Sequence, residues 1–195
     1  MTGYVGLIAG LIPETLREPR RAARRLMDLG LPDEARWIGL LLVVVLAVME
    51  SRIAYALLPP VAGPDYFALL ADPWVSLPAQ TLALVLVAGA IAWIGGLFGG
   101  RGTFRDALLL VVWVEFVMTV AQAVQLVVLI ILPPFGSLLA LGVLLGFVWV
   151  MAQVIAELHG SRNIFKVLLG MVAGFALVVT VLAVLLSALG LIPTN

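Results

Sequence analysis

Cysteine is absent from the 195-residue chain, which excludes disulfides, iron–sulfur clusters, thiolate zinc sites and thiol nucleophiles. Histidine occurs once, at His159, too few for a multi-histidine metal site. Charge is scarce too: Asp, Glu, Lys and Arg make up 11% of the residues, against about a quarter in soluble domains. A chain so poor in polar side chains cannot clothe a water-facing surface. Catalytic signatures are also missing. There is no G-x-S-x-G elbow, no HExxH pair, no phosphate loop with its Lys-Ser/Thr, and no dinucleotide fingerprint after a strand. The glycine-rich stretch GGLFGGRG, residues 95–102, follows an apolar run and reads as a turn. These absences predict no cofactor, no metal, no enzymatic activity and no nucleic-acid partner.

What the chain has is apolar length. It is 64% hydrophobic, with a mean hydropathy of +1.21, and its apolar residues come in blocks near the ~20 residues that cross a bilayer. The expected fold is all-α: a polytopic transmembrane bundle of five spanning helices with an N-terminal amphipathic interfacial helix. The spans are placed at about 37–58, 77–98, 104–132, 135–157 and 164–191. Two regions follow, an N-terminal interfacial segment at 1–34 and the transmembrane domain at 35–192. Residues 1–12 are apolar but too short to span, and lack the basic flank and small-residue cleavage site of a signal peptide, so they are expected to be retained. Residues 14–30 read as one amphipathic stretch, with Leu16, Ala23 and Met27 on one side and Arg17, Arg20, Arg21 and Arg24 beside them. Pro19 suits the first turn of a helix. Two proline pairs, Pro59-Pro60 and Pro133-Pro134, end spans one and three.

Loop charge tests the count. Arg17, Arg20, Arg21, Arg24, Arg25 and Arg36 precede span one, Arg101 and Arg105 separate spans two and three, and Arg162 and Lys166 separate spans four and five. With five spans, these ten lie on one side and the connections on the other side carry none. The positive-inside bias then predicts a cytoplasmic N-terminus and a C-terminus across the membrane.

Ionisable residues inside spans are costly in lipid and call for partners. Glu50, Arg52, Glu115, Thr119, Gln122, Gln153 and Glu157 form the candidate intramembrane polar cluster. Glu115, Thr119 and Gln122 share a helix face by their spacing, and Glu115 lies about 15 Å below Arg105 at 1.5 Å per residue. Arg52 is expected to pair with Glu115 or Gln122, because Glu50, two residues away, points elsewhere on the same helix. The stripe Gly142, Gly146, Gln153 and Glu157 is expected to face inward, and Gly170 with Gly174 to let another backbone approach. The arginines Arg17, Arg20, Arg21, Arg24 and Arg25 are candidate contacts for anionic lipid headgroups. His159, beside Glu157 at a helix end, reads as an interface residue first and a pH sensor second.

The turn Gly99-Gly100-Arg101-Gly102-Thr103-Phe104-Arg105-Asp106-Ala107-Leu108 and the turn Leu158-His159-Gly160-Ser161-Arg162 resemble stretches at the same topological places in bacterial relatives of the YIP family, the Ypt/Rab-interacting membrane proteins. The resemblance extends over about residues 13–191 in topology. Members often carry a proline partway along span three, where this chain has Glu115, so a less interrupted helix is predicted. The resemblance implies a non-enzymatic integral membrane protein, in eukaryotes linked to Rab GTPases, traffic and membrane shape. Arginine-rich usage with a single lysine looks bacterial, which places the chain in an inner (plasma) membrane with a periplasmic C-terminus and leaves the Rab link behind. Expected partners are membrane lipids, then other membrane proteins or a second copy. The functional expectation is a membrane organiser or scaffold, with a small transporter, channel or lipid-moving protein with a polar path near Glu115 as the alternative.

Overall fold

The computed structural model describes residues 2–58 and 72–188, and all regular structure among them is helical. A two-helix arm comes first, α1 (Thr2–Arg17) and α2 (Pro19–Asp28). Five longer helices follow: α3 (Asp33–Leu57), α4 (Pro73–Leu97), α5 (Phe104–Ile131), α6 (Pro133–Leu158) and α7 (Ile164–Ala188). These five are long and apolar enough to cross a membrane. The Pro59-Pro60 pair expected to end span one, and the end of span five at residue 191, lie outside the described residues.

Local chemistry sets the helix ends. Asp72 caps α4 by accepting from the Trp74 N–H at 2.9 Å, and Thr103 caps α5 by accepting from the Asp106 N–H at 3.2 Å. Span three ends just before Pro133-Pro134 as expected, and the pair opens α6 directly, since a first turn needs no N–H from either. At α5 the helix runs unbroken from Phe104 to Ile131, as the absence of a proline predicts.

Pro19 opens α2, as its fitness for a first turn predicts, while residues 14–17 belong to α1. Pro19 disfavours helical backbone in the residue before it, and Glu18 sits at φ −135°, ψ 64°. Breaking there resets the helical phase. Pro19, Ala22, Ala23 and Leu26 become the buried face of α2, while Leu16, stranded on α1, stays exposed. The arm rests on protein: Leu11 and Thr15 of α1 are buried, and the Trp113 indole N–H of α5 donates to the Thr15 hydroxyl at 2.8 Å.

Helix α5 is the axis of the bundle. Ala107, Leu108, Leu110, Val111, Val114 and Val117 are all buried there, against Leu40, Val44 and Val48 of α3 and Val150, Val154 and Leu158 of α6. The outward faces are apolar as well: Leu138, Leu141, Leu144 and Leu145 on α6 and Phe165, Val172 and Phe175 on α7 are exposed. That distribution suits lipid as the surrounding medium. Small residues divide by helix. Gly170 and Gly174 of α7 do face a neighbour, with Ile94 and Ala90 of α4 within 4 Å of where a side chain would start. Gly142 and Gly146 of α6 face open space, so that part of the predicted inward stripe points outward.

Candidate functional site

The helices alternate in direction, so the ends that carry the arginines gather at one pole of the bundle, called here the basic end. Asp33 and Arg36 at the start of α3 meet Arg105 and Asp106 at the start of α5. Arg36 pairs with Asp33 at 2.7 Å and with Asp106 at 3.7 Å, and Arg105 with Asp33 at 3.1 Å. Two of the charges in the GTFRD turn are therefore spent on tying α3 to α5.

The arm is fixed at the same pole. The Arg20 Nε–H donates to Gln153 Oε1 at 2.6 Å, and Arg24 holds Glu157 through two nitrogens at 2.8 and 2.5 Å. Gln153 and Glu157, expected among the intramembrane cluster, thus face α2 and not another span. Arg21 pairs with Glu14 and Glu18, and Arg25 with Glu14. Three of the five candidate lipid-binding arginines, Arg21, Arg24 and Arg25, already face a carboxylate, while Arg17 is exposed at the end of α1.

Two turns meet beside the arm. At the end of α4 Gly99 takes φ 82°, with its N–H bonded to the Gly96 carbonyl and that of Gly100 to the Gly95 carbonyl. At the end of α6 Gly160 takes φ 64°, with its N–H bonded to the Glu157 carbonyl and that of Ser161 to the Ala156 carbonyl. Both are Schellman caps, in which only glycine adopts the left-handed residue at little cost. His159, immediately before the second cap, inserts its ring into the first. The ring's nearest surroundings are Gly95, Gly100 and Gly102, at each of which a Cβ would collide with it. The Gly102 N–H donates to Nδ1 at 3.3 Å, which assigns the proton to Nε2, and Nε2–H donates to the Ile91 carbonyl at 3.1 Å. Burial pushes this histidine below its ordinary 6.5, with the bond to Ile91 pulling partly back. A protonated ring would set Nδ1–H against the Gly102 N–H, so the clamp is built for the neutral form.

Deeper in the bundle Glu115 accepts from the Gln80 amide of α4 at 3.1 Å, and Glu50 of α3 is near enough for its charge to act on Glu115. One Glu50 carboxylate oxygen is buried without a hydrogen-bond partner. The predicted pairing of Arg52 with Glu115 or Gln122 is not formed: Arg52 is exposed, as is Gln122, and Gln80 takes the place at Glu115. Thr119 returns its hydroxyl to the Glu115 carbonyl at 3.0 Å, a bond within its own helix. Among the described residues no group of three acidic or His side chains could hold a metal ion. Gln80 was missed in the sequence, although an amide early in an apolar run is a visible signal. The ring cradle at Gly95 and Gly102 was read only as a turn.

The two turns that carry the resemblance to YIP proteins are therefore one physical object, the histidine of one clasped by the glycines of the other. No curated protein and no solved structure compared with the chain matches it. The family model described as the Yip1 domain matches residues 14–192, from the end of α1 past the end of α7, and the chain belongs to the Yip1 domain family.

Proposed function

We propose that this protein is a non-enzymatic organiser of an anionic membrane surface, multi-pass in a plasma membrane, its basic end cytoplasmic. One observation carries the reading: an arginine-rich helix, α2, is locked in a fixed position at the same pole as every other basic connection. Ten basic residues stand there against Glu14, Glu18, Asp28, Asp33, Glu34, Asp106 and Glu157. The excess is about three charges, and at ~1 kcal/mol for each basic residue near an anionic surface the attraction is about 3 kcal/mol. That is enough to bias the lipids around the arm without gripping them irreversibly. The test is the full chain in vesicles with spin-labelled phosphatidylglycerol or phosphatidylcholine, read as the motionally restricted fraction. Wild type should prefer the anionic lipid, and Arg17→Gln with Arg21→Gln, which leaves both docking contacts intact, should reduce the preference. Equal preference in the two proteins rules the headgroup role out.

A second reading, a small transporter or lipid-moving protein, is favoured by the meeting of Glu50, Gln80 and Glu115 from three helices. An acid pair with an unpartnered buried oxygen could take up a proton or a cation. Proteoliposomes that leak no more than empty vesicles, with wild type and Glu115→Gln alike, would remove it.

A further inference from the structure

A cleft of about 490 Å³ opens between α4, α6 and α7, within the ~300–1,000 Å³ usual for small-molecule sites. Its deep part is apolar, walled by Ile94 of α4, Phe147 and Met151 of α6, and Phe175 and Val178 of α7. Gly170 and Gly174 line it too, leaving width where larger side chains would fill it. Its other end is the basic end, where Ser161, Arg162, Asn163 and Lys166 surround the mouth and His159 stands beside them. No acidic residue is among the described residues that line it.

Length, polarity and charge fit one kind of occupant. The lining runs from Val87 to Phe98 at the end of α4 and from Phe147 to His159 at the end of α6, about 16–18 Å at 1.5 Å per residue, just over half of a ~30 Å hydrocarbon core. An apolar slot one leaflet deep with a basic mouth at headgroup level has the polarity profile of a single phospholipid. Arg162 and Lys166 are exposed there, and the first turn of α7 points its N–H groups the same way, a partial positive charge of the same sign. Phe98 and Phe175 line the cleft yet are exposed, Phe175 by 73%, so it is open on its flank to the surrounding medium. A second helix would need a broad face rather than a slot of this volume.

We propose that this cleft is a binding site for one anionic phospholipid, an acyl chain lying between α4, α6 and α7 and the phosphate held by Arg162 and Lys166. The site is separate from the arginine face of α2, and the two stand or fall independently. Full-length protein purified in detergent is washed free of bulk lipid, then offered phosphatidylglycerol or phosphatidylcholine and examined by native mass spectrometry. Wild type should retain one phosphatidylglycerol per chain. Arg162→Gln with Lys166→Gln, both on exposed positions that leave packing intact, should lower that retention about tenfold or more and leave phosphatidylcholine unchanged. Met151→Trp, which narrows the slot, should reduce both lipids. Retention of phosphatidylglycerol by the Arg162, Lys166 double variant equal to that of wild type overturns the proposal. So does a photoreactive group at Phe175 that couples to a second copy of the chain in place of a photoreactive phospholipid's neighbours.

Discussion

Substituting Gly95 by alanine puts a methyl group where the His159 ring now lies, since the three atoms nearest to that position all belong to the ring. Gly95 is within α4 and its backbone is not in the left-handed region, so the ring is the nearest obstacle to a side chain. Two effects compete. Alanine is better than glycine inside a helix by about 1 kcal/mol, while overpacking against a held ring costs about 1–3 kcal/mol. Displacing the ring also gives up its bonds to Gly102 and Ile91, each worth about 1 kcal/mol. The net expectation for Gly95→Ala is a loss of about 1–3 kcal/mol, or several degrees in the melting temperature of a chain this size. In a His159→Ala background the obstacle is gone and the same substitution should be neutral or stabilising by up to about 1 kcal/mol. The assay is unfolding of the purified chain in one detergent, for both single variants and the double. A coupling of about 2 kcal/mol or more with the sign reversed supports the clamp. If Gly95→Ala costs the same in both backgrounds, the ring is not in the cradle and the reasoning fails.

The clamp also predicts a pH dependence. Because the folded-state pKa of His159 is below its ordinary 6.5, the folded chain binds the proton less readily than the unfolded one. Its contribution is whole above pH 6.5 and is lost as the pH falls through the folded value. Stability measured from pH 8 down to pH 5 should show this loss, and His159→Gln should remove that component. At the arm, Arg24→Ala should raise amide exchange across residues 19–28. The ion pair itself is worth only about 0.2–1 kcal/mol because the Arg24 side chain is 69% exposed, so global melting should barely move. Trp113→Phe removes the donor to Thr15 and should cost about 1 kcal/mol, appearing as faster exchange in α1. Equal protection of α1 in both proteins would show that this bond does not hold the helix.

Span positions were legible because lipid imposes a length and a polarity that a linear string displays. The helix bounds at Phe104 and Ile164 agree with the reading to the residue. Partners within the bundle were much less legible. A stripe such as Gly142, Gly146, Gln153, Glu157 fixes which residues share a face, but not what covers it. Here open space faces the glycines and α2 faces the polar pair. The same limit misled the Arg52 pairing. Periodicity showed that Glu50 and Arg52 point apart, but not which of the two turns inward. Glu50 has a buried carboxylate oxygen while Arg52 is exposed, and Gln80 supplies the hydrogen bond at Glu115.

The position of His159 links the clamp to the cleft. Its ring joins the end of α4 to the end of α6, and those two ends form two of the three walls at the cleft mouth. Helix α7 is the third wall, and its first turn is held by Asn163, whose side chain accepts from the Phe165 and Lys166 N–H groups at 3.0 and 3.2 Å. A mouth with two walls locked together and the third capped by its own residue keeps Arg162 and Lys166 in place before any ligand arrives. Preorganisation of this kind lowers the ordering cost of binding. If the clamp supports the mouth in this way, His159→Ala should weaken phosphatidylglycerol retention even though the imidazole carries no charge, and the loss should be smaller than that from removing Arg162 and Lys166 together. Retention unchanged in His159→Ala would mean that the clamp serves packing alone.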